Sequence, residues 1–159
     1  MIRGKFLTSM DDISEILDLR RRVFVDELGF PPGNEPDEFD RMAVYALAFD
    51  ENDRPAGTGR LYIDQNGHFR VGRVCVLPDA RGMGLSDLIL RMLLFRAREL
   101  NAASVYVDVD PAAEESFARY GFRTYESGAP VRMRVLAEDI DLGGSCAGCA
   151  QDPGDPTCY

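Results

Sequence analysis

The chain of 159 residues has no tryptophan, one histidine and four cysteines, three of which fall after residue 145. With His68 alone, beside the turn residue Gly67, no Ser/His/Asp or Cys/His relay can be assembled. Long apolar runs are missing as well. Runs such as Met92 to Phe95 are far shorter than the roughly 18 residues a bilayer-spanning helix needs. The opening MIRGKFLTSMDD has no signal-peptide core, so the expected location is the cytoplasm and no membrane partner is expected. Positive charge is scarce: 18 Lys and Arg stand against 27 Asp and Glu, a formal net charge of −9. That balance argues against nucleic acid as the main partner, because binding a phosphate backbone needs a dense cationic face. It suits a cationic small molecule or peptide.

What is present reads as one ordinary globular domain of the mixed α/β class, with enough apolar residues, 45%, to build a core. Residues 2–8 read as a first strand. A helix follows, with Ser9, Asp11 and Asp12 as cap candidates and Ile13, Ile16, Leu17, Val23, Phe24 and Leu28 at mostly helical spacing, until Gly29 and Pro31-Pro32 stop it. PPGNEPDEFD, rich in proline and acids, is expected to stay out of the core. AVYALAFD, AGTGRLYID and HFRVGRVCVL are three strand-like runs joined by turns at ENDRP and Gln65-Asn66-Gly67, and so are expected to be antiparallel. Leu85, Leu88, Ile89, Met92 and Leu93 mark a second helix ending near Asn101. SVYVDVD is the next strand, PAAEESFARY a short helix with proline in its first turn, and GFRTYES with PVRMRVL a closing strand pair. The predicted order is β-α-βββ-α-β-α-ββ.

Between the third of those strand runs and the second helix stands the glycine turn Arg81-Gly82-Met83-Gly84-Leu85-Ser86-Asp87. A P-loop would end in Gly-Lys-Ser/Thr, and no lysine is here. A dinucleotide-binding fingerprint would put a third glycine where Asp87 stands. Two readings remain: a tight strand-to-helix connection that needs glycine for its geometry, or a pyrophosphate site on a helix N-terminus. In the second, Gly82 and Gly84 admit an anion to the backbone and Arg81 adds a charged donor.

The segment VGRVCVLPDARGMGLSDLIL resembles motif A of the GNAT superfamily of N-acetyltransferases, in which an Arg/Gln-x-x-Gly-x-Gly/Ala loop grips the pyrophosphate of acetyl-coenzyme A. Ser86 takes the place of the usual last Gly/Ala. VFVDE, DEFDRMAVYALAF, PAGTGRL, VGRV and YGFRTYESGAPVRMRV look like successive blocks of the ElaA-like branch, over residues 1–136. The resemblance implies a GNAT fold, a mostly antiparallel sheet of six to seven strands splayed in the middle. It implies transfer of acetyl from acetyl-CoA to a primary amine of a small molecule or peptide, by direct attack in a ternary complex. Val74, Cys75 and Val76 would then line the pantetheine arm and one of their N–H groups would polarise the thioester carbonyl. Arg81, Gly82, Met83, Gly84, Leu85 and Ser86 would hold the pyrophosphate, and Asp110, Ala113 and Phe117 would flank the arm.

Two positions depart from the family. Phe117 occupies the usual place of a proton-donating tyrosine and has no hydroxyl. Tyr120, three residues on and hence on nearly the same helix face, is either a substitute acid or a packing residue. Asp110 stands where Asn or Gln often bonds the cofactor, and an ionised carboxylate only accepts. Glu27 in VFVDE is the first candidate for the base that takes the amine's proton, with Asp40 second. Asp40, Tyr45, Arg60 and Arg73 fall on positions near the acceptor, Tyr45 where relatives commonly carry histidine. The alternative for Arg60 and Arg73 is pairing with the acidic loop.

Residues 137–159 read as a separate Gly/Pro/Cys-rich acidic tail. Cys146, Cys149 and Cys158 form C-x2-C-x8-C, one ligand short of a closed zinc site. Zinc or iron, a disulfide or redox contact, and an unstructured reduced tail all stay open. Two further functions stay open with them: an acyl-CoA-binding sensor without turnover, and a metal-binding interaction module. The oligomeric state, a homodimer included, is also open.

Overall fold

A computed structural model describes residues 1–143 of the chain. Its strands are β1 (Arg3–Thr8), β2 (Val44–Phe49), β3 (Pro55–Ile63), β4 (Phe69–Val76), β5 (Ser104–Val109), β6 (Arg123–Glu126) and β7 (Val131–Leu136). Its helices are α1 (Ser14–Arg20), α2 (Leu85–Glu99) and α3 (Glu114–Ala118). The element order is the one the periodicities predict.

The first helix differs in detail. It begins at Ser14, and none of the three expected residues occupies the cap position, which Ile13 holds. Asp12 instead accepts from the Ser14 N–H at 3.0 Å, and Asp11 closes the turn after β1 by accepting from the Thr8 N–H at 2.8 Å. From Arg21 to Glu27 the helix widens to π geometry. Ile16, Leu19, Arg20, Val23 and Phe24 all face inward, a spacing of three and four residues that puts one arginine on the apolar stripe.

The seven strands form one sheet in the order β1-β2-β3-β4-β5-β7-β6, antiparallel except where β4 lies beside β5. The β4–β5 ladder holds only Phe69 opposite Val105 and Arg70 opposite Tyr106. Past Arg70 the two strands are no longer ladder partners, which opens the sheet at its middle. α2 packs on β1 to β4, and α1 packs on β3 and β4. Successive residues of a strand point to opposite faces. A Cβ on Gly59 would meet Ile89 and Leu93 of α2, whereas Arg60 reaches Asp37 and Asp40. The two helices therefore cover opposite faces, and the site is built on the face away from α2.

Past Leu136 the chain stays on the body: Ala137 N–H bonds Ala103 O, Asp141 N–H bonds Tyr120 O, and Ile140 and Leu142 pack against the core. Cys146, Cys149 and Cys158 lie outside the described residues, and with them the metal, redox and unstructured readings of the tail.

Candidate active site

β4 enters the glycine turn through a short 3₁₀ turn, Pro78–Ala80. Gly82 (φ +78°) and Gly84 (φ +83°) both take left-handed backbone, which a Cβ penalises, so the glycines are required by geometry. Leu85 and Ser86 are buried, and Met83 is half-exposed. A small residue at Ser86 follows from that burial. The turn presents backbone to the outside, at the N-terminus of a 15-residue helix where N–H groups and the macrodipole favour an anion.

Arg81 does not point outward in this structure. Its Nε donates to Val76 O at 3.1 Å, and its Nη1 and Nη2 donate to the Glu27 carboxylate at 2.8 and 2.5 Å. Two residues for which the resemblance implies separate roles, base and pyrophosphate clamp, thus form one bidentate pair joining the end of the first helix to the glycine turn. Val74, Cys75 and Val76 are buried along the part of β4 that has left β5.

On the other wall, Phe117 is buried and stacks edge-on against Phe122 at 5.5 Å and Tyr120 at 6.5 Å. The Tyr120 hydroxyl donates to Asp87 Oδ1 at 2.5 Å, and Asp87 also pairs with Arg91 at 3.0 Å. Asp87 was not among the expected site residues. Its acid-in-first-turn position and its spacing to Arg91 were legible, but not its contact with a tyrosine 33 residues away. Asp110 caps the turn before α3, accepting from the Ala112 N–H at 2.9 Å, and Ala113 is buried beneath it.

The acidic loop is not confined to the surface as its composition suggests. Asp40 is 5% exposed, and Arg20 is 1% exposed. Arg20 donates to both Asp40 oxygens at 2.7 and 3.0 Å and also pairs with Glu35. Arg60 grips Asp37 through two bonds of 2.6 and 2.8 Å and reaches Asp40 at 3.0 Å. Arg73 bonds Glu35 at 2.6 Å. The Tyr45 hydroxyl donates to Asp40 Oδ1 at 2.9 Å, and Asp37 N–H donates to Oδ2 at 2.9 Å. Asp40, Tyr45, Arg60 and Arg73 are thus brought together, with Arg20, Glu35 and Asp37 added. Buried charges need this degree of pairing.

The network sets its own proton affinities. Burial alone would raise the Asp40 carboxyl, but the hydrogen bonds and charge of Arg20, with Arg60 behind them, hold it far below the usual carboxylate range. Burial, and then the Asp40 carboxylate, push the Tyr45 phenol far above its ordinary value. Asp40 is therefore saturated with donors and ill matched to accept a proton near neutrality.

Arg73 reaches the loop because β4 bulges. The ladder shifts between Thr58 opposite Cys75 and Arg60 opposite Gly72, so Arg73 and Val74 together face Gly59, and Arg73 takes φ +51°. Beside this bulge, where the β4–β5 ladder ends, lies a cleft of about 420 Å³ lined by Phe39, Tyr62, Gly72, Arg73, Asp108 and Arg132 among others. Its size is that of a small-molecule site. His68, stacked on Tyr106 at 4.3 Å, is half-exposed. Among the described residues, no group of three His, Cys, Asp or Glu is placed to hold a metal, and no helix is long and apolar enough to cross a membrane.

Solved structures share this fold. Escherichia coli ElaA matches with a TM-score of 0.72 at 21% identity, over 85% of this chain and 99% of that one. An acyl-CoA N-acyltransferase from Pseudomonas aeruginosa matches with a TM-score of 0.74 at 24% identity, over 86% and 100%. Residues 35–133 match the family model of the acetyltransferase (GNAT) domain. A Bacillus subtilis (strain 168) protein described as an acetyltransferase is 32% identical over 124 residues, which is 76% of this chain and 82% of that protein. The chain belongs to the GNAT family of N-acetyltransferases.

Proposed function

We propose that the chain transfers an acetyl group from acetyl-CoA to the primary amine of a small molecule or peptide, within one ternary complex. One observation carries this reading: the left-handed Gly82 and Gly84 turn, at the N-terminus of α2, lies directly after the strand that parts from β5. Backbone of that kind is suited to a pyrophosphate, and the opened sheet is suited to an extended arm. Acetyl-CoA, when bound, supplies the acetyl group already activated as a thioester. The chain's own part is to hold and to orient. Val74, Cys75 and Val76 offer strand backbone along the arm, residues 81–86 take the diphosphate, and Ala113 and Phe117, both buried, back the opposite wall.

The acceptor amine must be neutral to attack, and a free alkylamine titrates near 10.4. Glu27, the first candidate base, is held by Arg81 at the glycine turn, and we assign it to positioning that arginine. Of the two carboxylates that line the cleft, Asp108 is 40% exposed and Asp64 7%. We assign the return of a proton to the Tyr120 hydroxyl, just past α3. In this structure its proton is donated to Asp87, so the hydroxyl must turn from that bond to serve a thiolate.

Calorimetric titration of acetyl-CoA into the chain and into Gly84→Glu tests the reading. Micromolar binding that disappears in the variant is the expected result, and no binding to the folded wild type would overturn it. Glu27→Gln separates the two roles of that residue. A changed CoA affinity with kcat retained fits positioning, whereas a lost kcat with affinity retained restores Glu27 as base. The absence of a hydroxyl at Phe117 favours a second reading, an acyl-CoA sensor, which predicts binding without turnover on any amine.

A further inference from the structure

The cleft at the end of the β4–β5 ladder carries an arrangement of charge that acetyl transfer as such does not require. Asp108 of β5 and Arg132 of β7 are direct cross-strand partners in an antiparallel ladder, so both side chains rise from the same face a few ångströms apart. Opposite charges so placed ordinarily pair with each other. Here Asp108 turns to Arg70 at 2.7 Å and Arg132 turns to Glu126 at 3.5 Å. Both remain open to solvent, 40% and 49% exposed, and both line the cleft. The arginines behind them, Arg60 and Arg73, are already matched by Asp37, Asp40 and Glu35. Of the charged residues that line the cleft, Asp108 and Arg132 are the most exposed, and the rim presents their carboxylate and guanidinium side by side, with the rings of Phe39 and Tyr62, 5.0 Å apart, on the cleft wall.

We propose that this cleft selects a zwitterionic acceptor of the α-amino acid class, with Asp108 facing its ammonium, Arg132 its carboxylate and Phe39 with Tyr62 an apolar side chain. The proposal rests on the acetyltransferase reading above and narrows its acceptor. A guanidinium recognises a carboxylate through directed, charge-assisted bonds. A polyamine would meet Arg70, Arg73 and Arg132 along the same surface and gains nothing from them. A phosphate dianion would meet Asp108 and Asp64. The cleft volume of about 420 Å³ suits one amino acid and not a folded partner.

The test compares L-phenylalanine, L-phenylalaninamide and spermidine as acceptors with saturating acetyl-CoA, in the full chain, in Arg132→Gln and in Arg132→Lys. Arg132 is half-exposed, so these variants are expected to fold. The expected result is a kcat/KM for L-phenylalanine about tenfold or more above that of its amide, the loss of a charged hydrogen bond. The preference falls toward one in Arg132→Gln, mainly through KM, and returns in part in Arg132→Lys. Turnover of the amide or spermidine equal to that of L-phenylalanine, or a preference that persists in Arg132→Gln, overturns the proposal and leaves acetyl transfer standing. If no probe is acetylated, the acetyltransferase reading fails first. Direct titration of L-phenylalanine, watched by chemical-shift changes, then decides this one: binding weakened by Arg132→Gln sustains the site, and binding that is absent or indifferent to Arg132 removes it.

Discussion

Arg20 shows how much one side chain can decide. It sits on the apolar stripe of α1 with 1% of its surface exposed, and its guanidinium spans Asp40 and Glu35. Removing it would leave carboxylates buried without their partner, so Arg20→Ala should lower the unfolding free energy by about 3–5 kcal/mol, measured by urea denaturation. A loss below about 1 kcal/mol would mean that water replaces the guanidinium freely. The network also has a pH signature. Asp40 titrates lower in the folded than in the unfolded chain, so its contribution is present above the unfolded value near 3.9 and is lost as pH falls from there toward the native value. Tyr45 titrates higher when folded, so its contribution is present below about 10 and lost as pH rises through the native value. Phenolate absorbance should therefore reveal a late-ionising tyrosine that is missing from Tyr45→Phe, and identical titrations of the two proteins would contradict the assignment. Asp40, Tyr45, Arg60 and Arg73 could be grouped from the sequence because each stands in a block that resembles the family. Arg20 could not, since an arginine at helical spacing reads as a solvated flank until its partners, 15 and 20 residues away, are folded against it.

At the scale of elements, α2 and β3 fit because Gly57 and Gly59 carry no side chain. A Cβ on Gly59 would lie 2.7 Å from Ile89 Cγ2, 3.0 Å from Val74 Cγ2 and 3.1 Å from Leu93 Cδ1. Ile89 is β-branched and buried, so it has little room to yield. Gly59→Val should cost about 1–3 kcal/mol by overpacking, with part recovered when Ile89→Ala is added. Full additivity of the two changes would show that they do not meet. The elements themselves were largely legible, because period-two and period-3.6 patterns follow from one buried face. The π-helical segment Arg21–Glu27 was not, because a widened turn keeps the same apolar residues inward. Nor was the bulge that turns Arg73 toward Glu35, since its left-handed backbone carries no glycine to announce it.

For the molecule as a whole, a net charge of −9 means that self-repulsion opposes compactness, while several ion pairs, such as Arg3 with Asp53 and Arg21 with Asp18, lie in solvent and contribute little. Going from 0.01 M to 0.15 M salt shortens the Debye length from about 30 to about 8 Å. That screens repulsion across the surface more than it weakens the buried network. The thermal midpoint should therefore rise over this range, and a fall would mean that exposed pairs matter more than net charge. The sequence by itself determined the order of elements, the glycine turn and the family block around it, because periodicity, left-handed turns and short motifs are local properties of the chain. Only the tertiary structure decided that Glu27 holds Arg81, that Tyr120 meets Asp87, and that Asp108 and Arg132 flank one cleft. Those contacts join residues 24 to 54 positions apart, and sheet register and helix packing bring them together after every local preference has been met.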